Sequence, residues 1–323
     1  NHNNNLKIAK ELIDHAVTAG CDAVKFQTYD QNSRVSNKVK SANYVDKTIG
    51  LEESIGEMFN RLRLDEKKHK EIFKYARSKN IEVFSTPFDS KSLEFLESLN
   101  VNLYKIASMD IVNLELIKKV AETKKPIILS CGMSTLGQVE EAVNTVKEVG
   151  NENLMLLHCN SSYPASHEEM NLNVISTLKK NFKIPVGLSD HTFGLMASHT
   201  AIAIGANLIE RHFTLDRSMQ GPDHILSSEP EEMIRLVQIA KIMKSLLGDG
   251  IKRIQPNEYI TLNAQRKSIY SNCKIKKGQK IKREMLSIKG PGGGLLPKYL
   301  DLVIGRAAKE EIKEDHPIKW KNI

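Results

Sequence analysis

From residue 8 to about residue 247, short apolar runs alternate with amphipathic helical patterns, and this alternation restricts the fold more than any other feature of the chain. The runs at residues 23–26, 81–84, 103–106, 127–129, 154–157, 184–188 and 206–209 have strand length. Helical periodicity fills the intervals, for example at 8–19, 67–78, 114–122, 136–149, 195–204 and 231–246. Strands separated by crossover helices pair in parallel, with the helices outside. Each run ends in polar or small residues: Lys25 and Gln27, Ser85-Thr86-Pro87, Lys105 and Ser108, Ser130, His158, Ser189 to His191, and Arg211 with His212. A (β/α)8 barrel gathers all its strand ends at one mouth, whereas a doubly wound sheet concentrates its polar residues at a switch point, so the even spread predicts the TIM barrel. Seven runs are visible. The chain opens on Asn1-His2-Asn3-Asn4-Asn5 and passes straight into a helix, so the first barrel strand is expected to lie before residue 1, outside this chain.

The barrel is expected to span residues 1–247, followed by a linker at 248–263 and a small β-rich domain at 264–323. Within the barrel, the polar stretch 28–51 lacks periodicity and reads as a lid or a mobile segment. In the small domain, Ile275-Lys276-Lys277-Gly278-Gln279-Lys280-Ile281-Lys282 is echoed by Ile312-Lys313-Glu314-Asp315-His316-Pro317-Ile318-Lys319, which predicts an internal duplication. Lys289-Gly290-Pro291-Gly292-Gly293-Gly294 lies between the copies and reads as a flexible loop able to reach a ligand. As a phosphate loop it is a weak match, with no Gly-Lys-Ser/Thr ending.

The formal charge of +8 is uneven. Residues 264–323 hold fifteen Lys and Arg against six Asp and Glu, a balance of +9 that leaves the rest near neutral. The basic part lacks the aromatic interleaving and the helix-turn-helix or finger patterns of nucleic-acid binders, so a solvated basic face or a lobe closing over an anionic substrate is the expectation. No apolar run approaches the roughly 20 residues of a membrane span, and a cytoplasmic location is expected. Cys21, Cys131, Cys159 and Cys273 show no paired spacing and read as reduced, packed thiols.

Two chemistries converge at the predicted mouth. Lys25 and Lys105, beside Thr86, Ser108, Ser130 and Ser189, suit a small polyanion, with ammonium groups cancelling charge and hydroxyls filling the remaining lone pairs. A Schiff-base lysine is the alternative use. His191 in Ser189-Asp190-His191 and His212 in Glu210-Arg211-His212 end adjacent strands. They read either as a pair of ligands for one divalent metal or as hydrogen-bonded rim residues.

AVKFQT (23–28), FSTPFD (84–89), YKIAS (104–108), IILSCGM (127–133), LLHC (156–159) with Tyr163-Pro164, GLSDHT (187–192), ERHFT (210–214) and GPDH (221–224) together resemble the sialic acid synthase family, and the tail resembles its antifreeze-like (SAF) domain. The resemblance covers essentially the whole chain. It implies a transferase that condenses phosphoenolpyruvate with an open-chain 2-acetamido sugar, either N-acetylmannosamine or a 6-deoxy diacetamido analogue, and releases phosphate. Lys25, Thr86, Lys105, Ser108, Ser130 and Ser189 would then hold phosphoenolpyruvate. His191 and His212 would bind Mn²⁺ or Mg²⁺, and Gln27, Asp110, Tyr163 and Asp223 would face the sugar. Lys25, Lys105, His191, His212 and Asp110 are the implied catalytic set. The implied assembly is a homodimer with each SAF domain over the partner's active site.

Three departures qualify the resemblance. The family's glutamate shortly before the Asn-His motif is not among these residues. Gly290 stands where the family presents an arginine, with Lys289 as a poorer substitute for a bidentate contact. Ala107-Ser108-Met109-Asp110 replaces the sialic acid branch's Gly-Ser-Gly-Glu, and Asn160-Ser161 its Thr-Asn, which points to a different acetamido sugar. Two other functions compete: a phosphoenolpyruvate-sugar phosphate condensation, for which no extra basic cluster is evident, and a non-catalytic binding or assembly protein that keeps the fold.

Overall fold

The structure, a computed structural model, describes residues 1–30 and 54–323. Most of the polar stretch 28–51 therefore lies outside the described residues. The chain forms two compact units, Asn1–Gly248 and Asp249–Ile323.

In the first unit seven strands pair in parallel and in strict chain order: β1 (Ala23–Thr28), β2 (Glu82–Pro87), β3 (Tyr104–Ile106), β4 (Ile127–Ser130), β5 (Leu154–Cys159), β6 (Val186–Asp190) and β7 (Ile209–Arg211). Sequential order belongs to a barrel, since a doubly wound sheet must reverse direction at its switch point. The sheet curls with β1 and β7 at its edges. Asn1 Nδ2 donates to the Phe213 carbonyl at 2.8 Å, and the His2 ring lies 6.1 Å from that of Phe26. Residues 1 and 2 thus reach from beyond the end of β7 to β1.

The helices start and stop where their end groups are satisfied. In α1 (Leu6–Ala19), the Asn5 side chain accepts from the N–H groups of Lys7 and Ile8, and Gly20 closes the helix at φ 79°. Its stripe Ala9, Ile13 and Ala16 is buried against the sheet. A capping box of Thr135 and Gln138 opens α2 (Leu136–Glu148). Among the described residues no helix is long and apolar enough to cross a membrane.

Alternation along each strand makes two apolar layers. Val83, Ile127, Leu129, Leu156, Val186 and Leu188 pack towards the helices, while Phe84, Ile128 and Leu157 fill the barrel interior. Gly187 faces that plug. A Cβ there would sit 2.3 Å from the Leu208 carbonyl oxygen and 2.8 Å from Leu157 Cδ2, so only glycine admits Leu157 to the interior.

The observed strands run past the apolar stretches that reveal them. β1 continues through Gln27 and Thr28, β6 through Ser189 and Asp190, and β7 through Glu210 and Arg211. Polar residues stay in the ladder because their side chains find partners on either face of the sheet. At its start β6 begins at Val186 rather than 184, because Pro185 has no N–H to give the ladder and supplies only its carbonyl, to Leu156.

The second unit is β-rich, as its sequence predicts. β8 (Ser268–Ser271) and β9 (Leu286–Lys289) pair antiparallel. The duplicated segments meet each other: Ile275 and Ile312 exchange backbone hydrogen bonds at 2.9 Å, and Ile275, Ile281, Ile312 and Ile318 are all buried. Gly278 and Asp315, at matching positions of the two copies, both turn the chain with positive φ. Residues 248–263 include a 3-10 turn (Pro256–Glu258) and most of a helix (Tyr259–Gln265). The glycine loop is tied down rather than free. Tyr270 donates to the Pro291 carbonyl, and the Gly294 N–H donates to Ser268 Oγ.

Candidate active site

The alternation that packs the barrel also selects what enters its mouth. Beyond the plug of Phe84, Ile128 and Leu157, the next inward positions are Lys25, Thr86, Lys105, Ser130, Cys159, Ser189 and Glu210. Lys105 is buried, and its ammonium donates to Ser130 Oγ at 2.5 Å and to the Ile106 carbonyl at 3.1 Å. Ser130 therefore keeps its own hydroxyl hydrogen for a ligand. Ser108 opens the 3-10 turn after β3, accepts the Gly132 N–H at 2.9 Å and bonds the Cys159 sulfur through its hydroxyl. A Cβ on Gly132 would lie 2.3 Å from Ser161 Oγ and 2.8 Å from Ser108 Oγ, so a side chain here would turn these hydroxyls away.

The two lysines are not left as bare cations. Glu210 lies between them, Oε1 3.7 Å from Lys105 Nζ and Oε2 3.8 Å from Lys25 Nζ, and accepts from Ser189 Oγ at 2.9 Å. Burial alone would raise the Glu210 pKa, but the ammonium of Lys105, and then that of Lys25, hold it down to about 2. Burial lowers the pKa of Lys105, against the pull of Glu210. In the sequence Glu210 stands in ERH, the polar end of an apolar run, and nothing there marks it as part of the site. In fact Glu210 is an inward ladder residue in register with Ser189.

The imidazoles of His191 and His212 come together, with ring centroids 5.2 Å apart. His191 Nδ1 lies 2.8 Å from the Asn160 carbonyl, which can only accept, so in the neutral ring Nδ1 carries the proton and Nε2 the lone pair. His212 Nδ1 lies 3.2 Å from Asp223 Oδ2, which fixes the same tautomer. Burial lowers the His212 pKa despite Asp223. Asp223, which burial alone would raise, is held at about 2 by His212. Burial alone would lower the His191 pKa, but Cys159 and the Asn160 carbonyl raise it. Once His191 gives up that proton, the two Nε2 atoms are a donor set that fits a divalent cation. Among the described residues no group of three or more His, Cys, Asp or Glu side chains forms a ready cation cage.

The remaining predicted residues surround this pair. The Tyr163 ring lies 4.2 Å from that of His191 and 5.8 Å from that of His212. Asp223, expected to face a sugar, bonds His212. Asp110 ends the turn that Ser108 opens, and Gln27 follows Lys25 by two residues on the same strand. Cys159 Sγ is 3.9 Å from His191 Nδ1, so this thiol packs behind the imidazole. In the second unit Lys289 forms an ion pair with Asp315 and lies 5.5 Å over the Tyr270 ring. Its ammonium is thereby held by its own unit.

Fold and site define a barrel enzyme that can take an anion on two lysines beside a histidine pair. Residues 12–252 match the NeuB family and residues 266–323 the SAF domain, and the chain belongs to the NeuB family. It is 43% identical over 322 residues to the N,N'-diacetyllegionaminic acid synthase of Campylobacter jejuni, covering 99% of this chain and 96% of that one. To the pseudaminic acid synthase of Helicobacter pylori it is 35% identical over 326 residues, covering 100% and 95%. The crystal structure of N-acetylneuraminic acid synthetase from Leptospira borgpetersenii, in complex with citrate, superposes with a TM-score of 0.72 at 33% identity, over 81% of this chain and 86% of that one. The chain is an enzyme of the neuraminate synthase type.

Proposed function

We propose that the enzyme condenses phosphoenolpyruvate with an open-chain diacetamido hexose and releases phosphate, giving an N,N'-diacetylated nonulosonic acid. The observation that carries the reading is the adjacency of two sites in one mouth: the Lys25, Lys105, Ser108 and Ser130 anion site, and the paired imidazoles. The choice of sugar is supported by the higher identity to the diacetyllegionaminic acid synthase and by Ala107 to Asp110 and Asn160-Ser161, which differ from the sialic acid branch.

In this reading Lys25 and Lys105 bind the phosphate and carboxylate of phosphoenolpyruvate, with the Ser130 hydroxyl donating to its oxygens. Thr86, Ser108 and Ser189 close the same subsite. Tyr163, Gln27 and Asp110 line the approach of the sugar. Its aldehyde carbon is held against the enol carbon, which forms the new bond. Positive charge then develops at C2 of phosphoenolpyruvate. Glu210, ionised and a salt-bridge distance from both lysines, stabilises that charge. Water adds at C2, and the tetrahedral intermediate expels phosphate onto Lys25 and Lys105. His191 and His212 would hold Mn²⁺ or Mg²⁺ through Nε2, and the bound cation would supply Lewis-acid polarisation of the aldehyde.

We also read the protein as a cytoplasmic homodimer in which the basic SAF domain serves the partner's mouth. The exposed apolar side chains Met109, Met133 and Phe193, on the segments that follow β3, β4 and β6, and Met196, which opens the helix after β6, support such an interface.

Phosphate release by the full-length protein tests the reading. Release should require phosphoenolpyruvate, sugar and Mn²⁺ together, stop with chelator, and proceed with higher kcat/KM on a 2,4-diacetamido-2,4,6-trideoxy hexose than on N-acetylmannosamine. Absence of release with any acetamido sugar would overturn it. Light scattering that finds a monomer would remove the dimer.

A further inference from the structure

We infer that Asp190 and Arg211, which touch neither substrate subsite, are positioning residues that fix His191 and His212 for cation binding; the inference rests on the metal reading above. The two tripeptides Ser189-Asp190-His191 and Glu210-Arg211-His212 lie side by side in register, Ser189 opposite Glu210 and Asp190 opposite Arg211. Alternation sends the outer members of each into the mouth and the middle members to the far face. There the Arg211 and Asp190 side chains, 1% and 0% exposed, form an ion pair at 2.5 Å.

The pair grips the backbone on which both imidazoles ride. Asp190 Oδ1 accepts from the Thr192 N–H at 2.9 Å and from the Thr192 hydroxyl at 2.8 Å, while Arg211 donates to the Thr192 carbonyl at 2.8 Å. The residue after His191 is thus held at both its N–H and its C=O. On the other strand, Arg211 Nε donates to Ser228 Oγ at 2.6 Å, and the Ser228 N–H donates to the His212 carbonyl at 2.8 Å. Ser198 Oγ, on the helix that packs over this face, completes the shell of Asp190 Oδ2 at 2.5 Å. Desolvating two charges is costly, and apolar side chains of similar volume hold a fold equally well. A fully bonded ion pair is better suited to fixing one geometry, and here the geometry fixed is the separation of the two histidines.

The test is Mn²⁺ binding, followed by the electron paramagnetic resonance of free Mn²⁺, in the wild type, in an Asp190→Leu/Arg211→Met double variant and in Arg211→Lys. Inorganic phosphate binding and thermal melting are measured in parallel. The lysine keeps the charge but cannot reach Asp190, Thr192 and Ser228 at once. Both variants should bind Mn²⁺ about 10- to 100-fold more weakly, the usual cost of losing outer support for a metal ligand, with phosphate affinity unchanged. Folded variants that bind Mn²⁺ as tightly as the wild type would overturn the inference and leave the metal reading standing. A wild type that takes up no Mn²⁺ would sink both. Should the double variant fail to fold, Arg211→Lys carries the test.

Discussion

Replacing Glu210 by Gln tests the electrostatic arrangement of the mouth directly. The carboxylate sits 3.7 Å from one ammonium and 3.8 Å from another, and its pKa falls from the ordinary 4.5 to about 2. That displacement corresponds to about 3 kcal/mol of stability at neutral pH, since one pKa unit is worth ~1.4 kcal/mol. The sign follows from the lowered folded pKa. The unfolded chain binds the proton first, so the contribution is complete above pH 4.5 and is lost as pH falls through about 2. The Gln variant should therefore melt lower at pH 7, by roughly 6–12 °C for a domain of this size. The gap should close as pH approaches 2. Without the acid the lysines face each other unneutralised, so the variant should bind inorganic phosphate more tightly, by about tenfold or more for one repulsive charge removed at an effective dielectric of ~20. Calorimetric melting across pH and phosphate titration by isothermal calorimetry read both effects. Equal melting temperatures at pH 7 together with unchanged phosphate affinity would refute the reasoning.

Lys105→Met should move phosphate affinity the opposite way, by about tenfold or more on the same Coulomb scale, and the same titration reads it. Leu157 is fully buried in the barrel interior, and Leu157→Ala should cost about 2–5 kcal/mol in urea unfolding. Gly137 lies in the first turn of α2 with nothing near its absent Cβ, so Gly137→Ala should stabilise the barrel by about 0.5 kcal/mol. Gly278 has equal space but a φ of +78°, so Gly278→Ala should destabilise the SAF domain by about 1 kcal/mol, and the contrast between the two alanines is visible in thermal melts.

The barrel was legible because its information is local. Each apolar run reports a buried strand by itself, and a polar residue such as Lys25 or Ser130 at its end points to the mouth without knowledge of any other strand. The duplicated isoleucines of the SAF domain were legible for the same reason. Glu210 and the Asp190–Arg211 pair were not, because their roles depend on register between strands that the chain separates by a whole helix. In a linear reading Glu210 and Arg211 are two charged residues after a hydrophobic run, the ordinary signature of a strand ending in solvent. They remain in the ladder because Glu210 meets lysines from β1 and β3 on one face while Arg211 meets Asp190 on the other. Opposite charges at the same place in two similar tripeptides, Ser-Asp-His and Glu-Arg-His, were the available signal. Alternation puts the middle residues on one face, and a buried Asp facing a buried Arg across adjacent strands is the arrangement that lets both stay there. The same register that brings the histidines together therefore also supplies the pair behind them, which ties the placement of the candidate metal ligands to the pairing of β6 with β7.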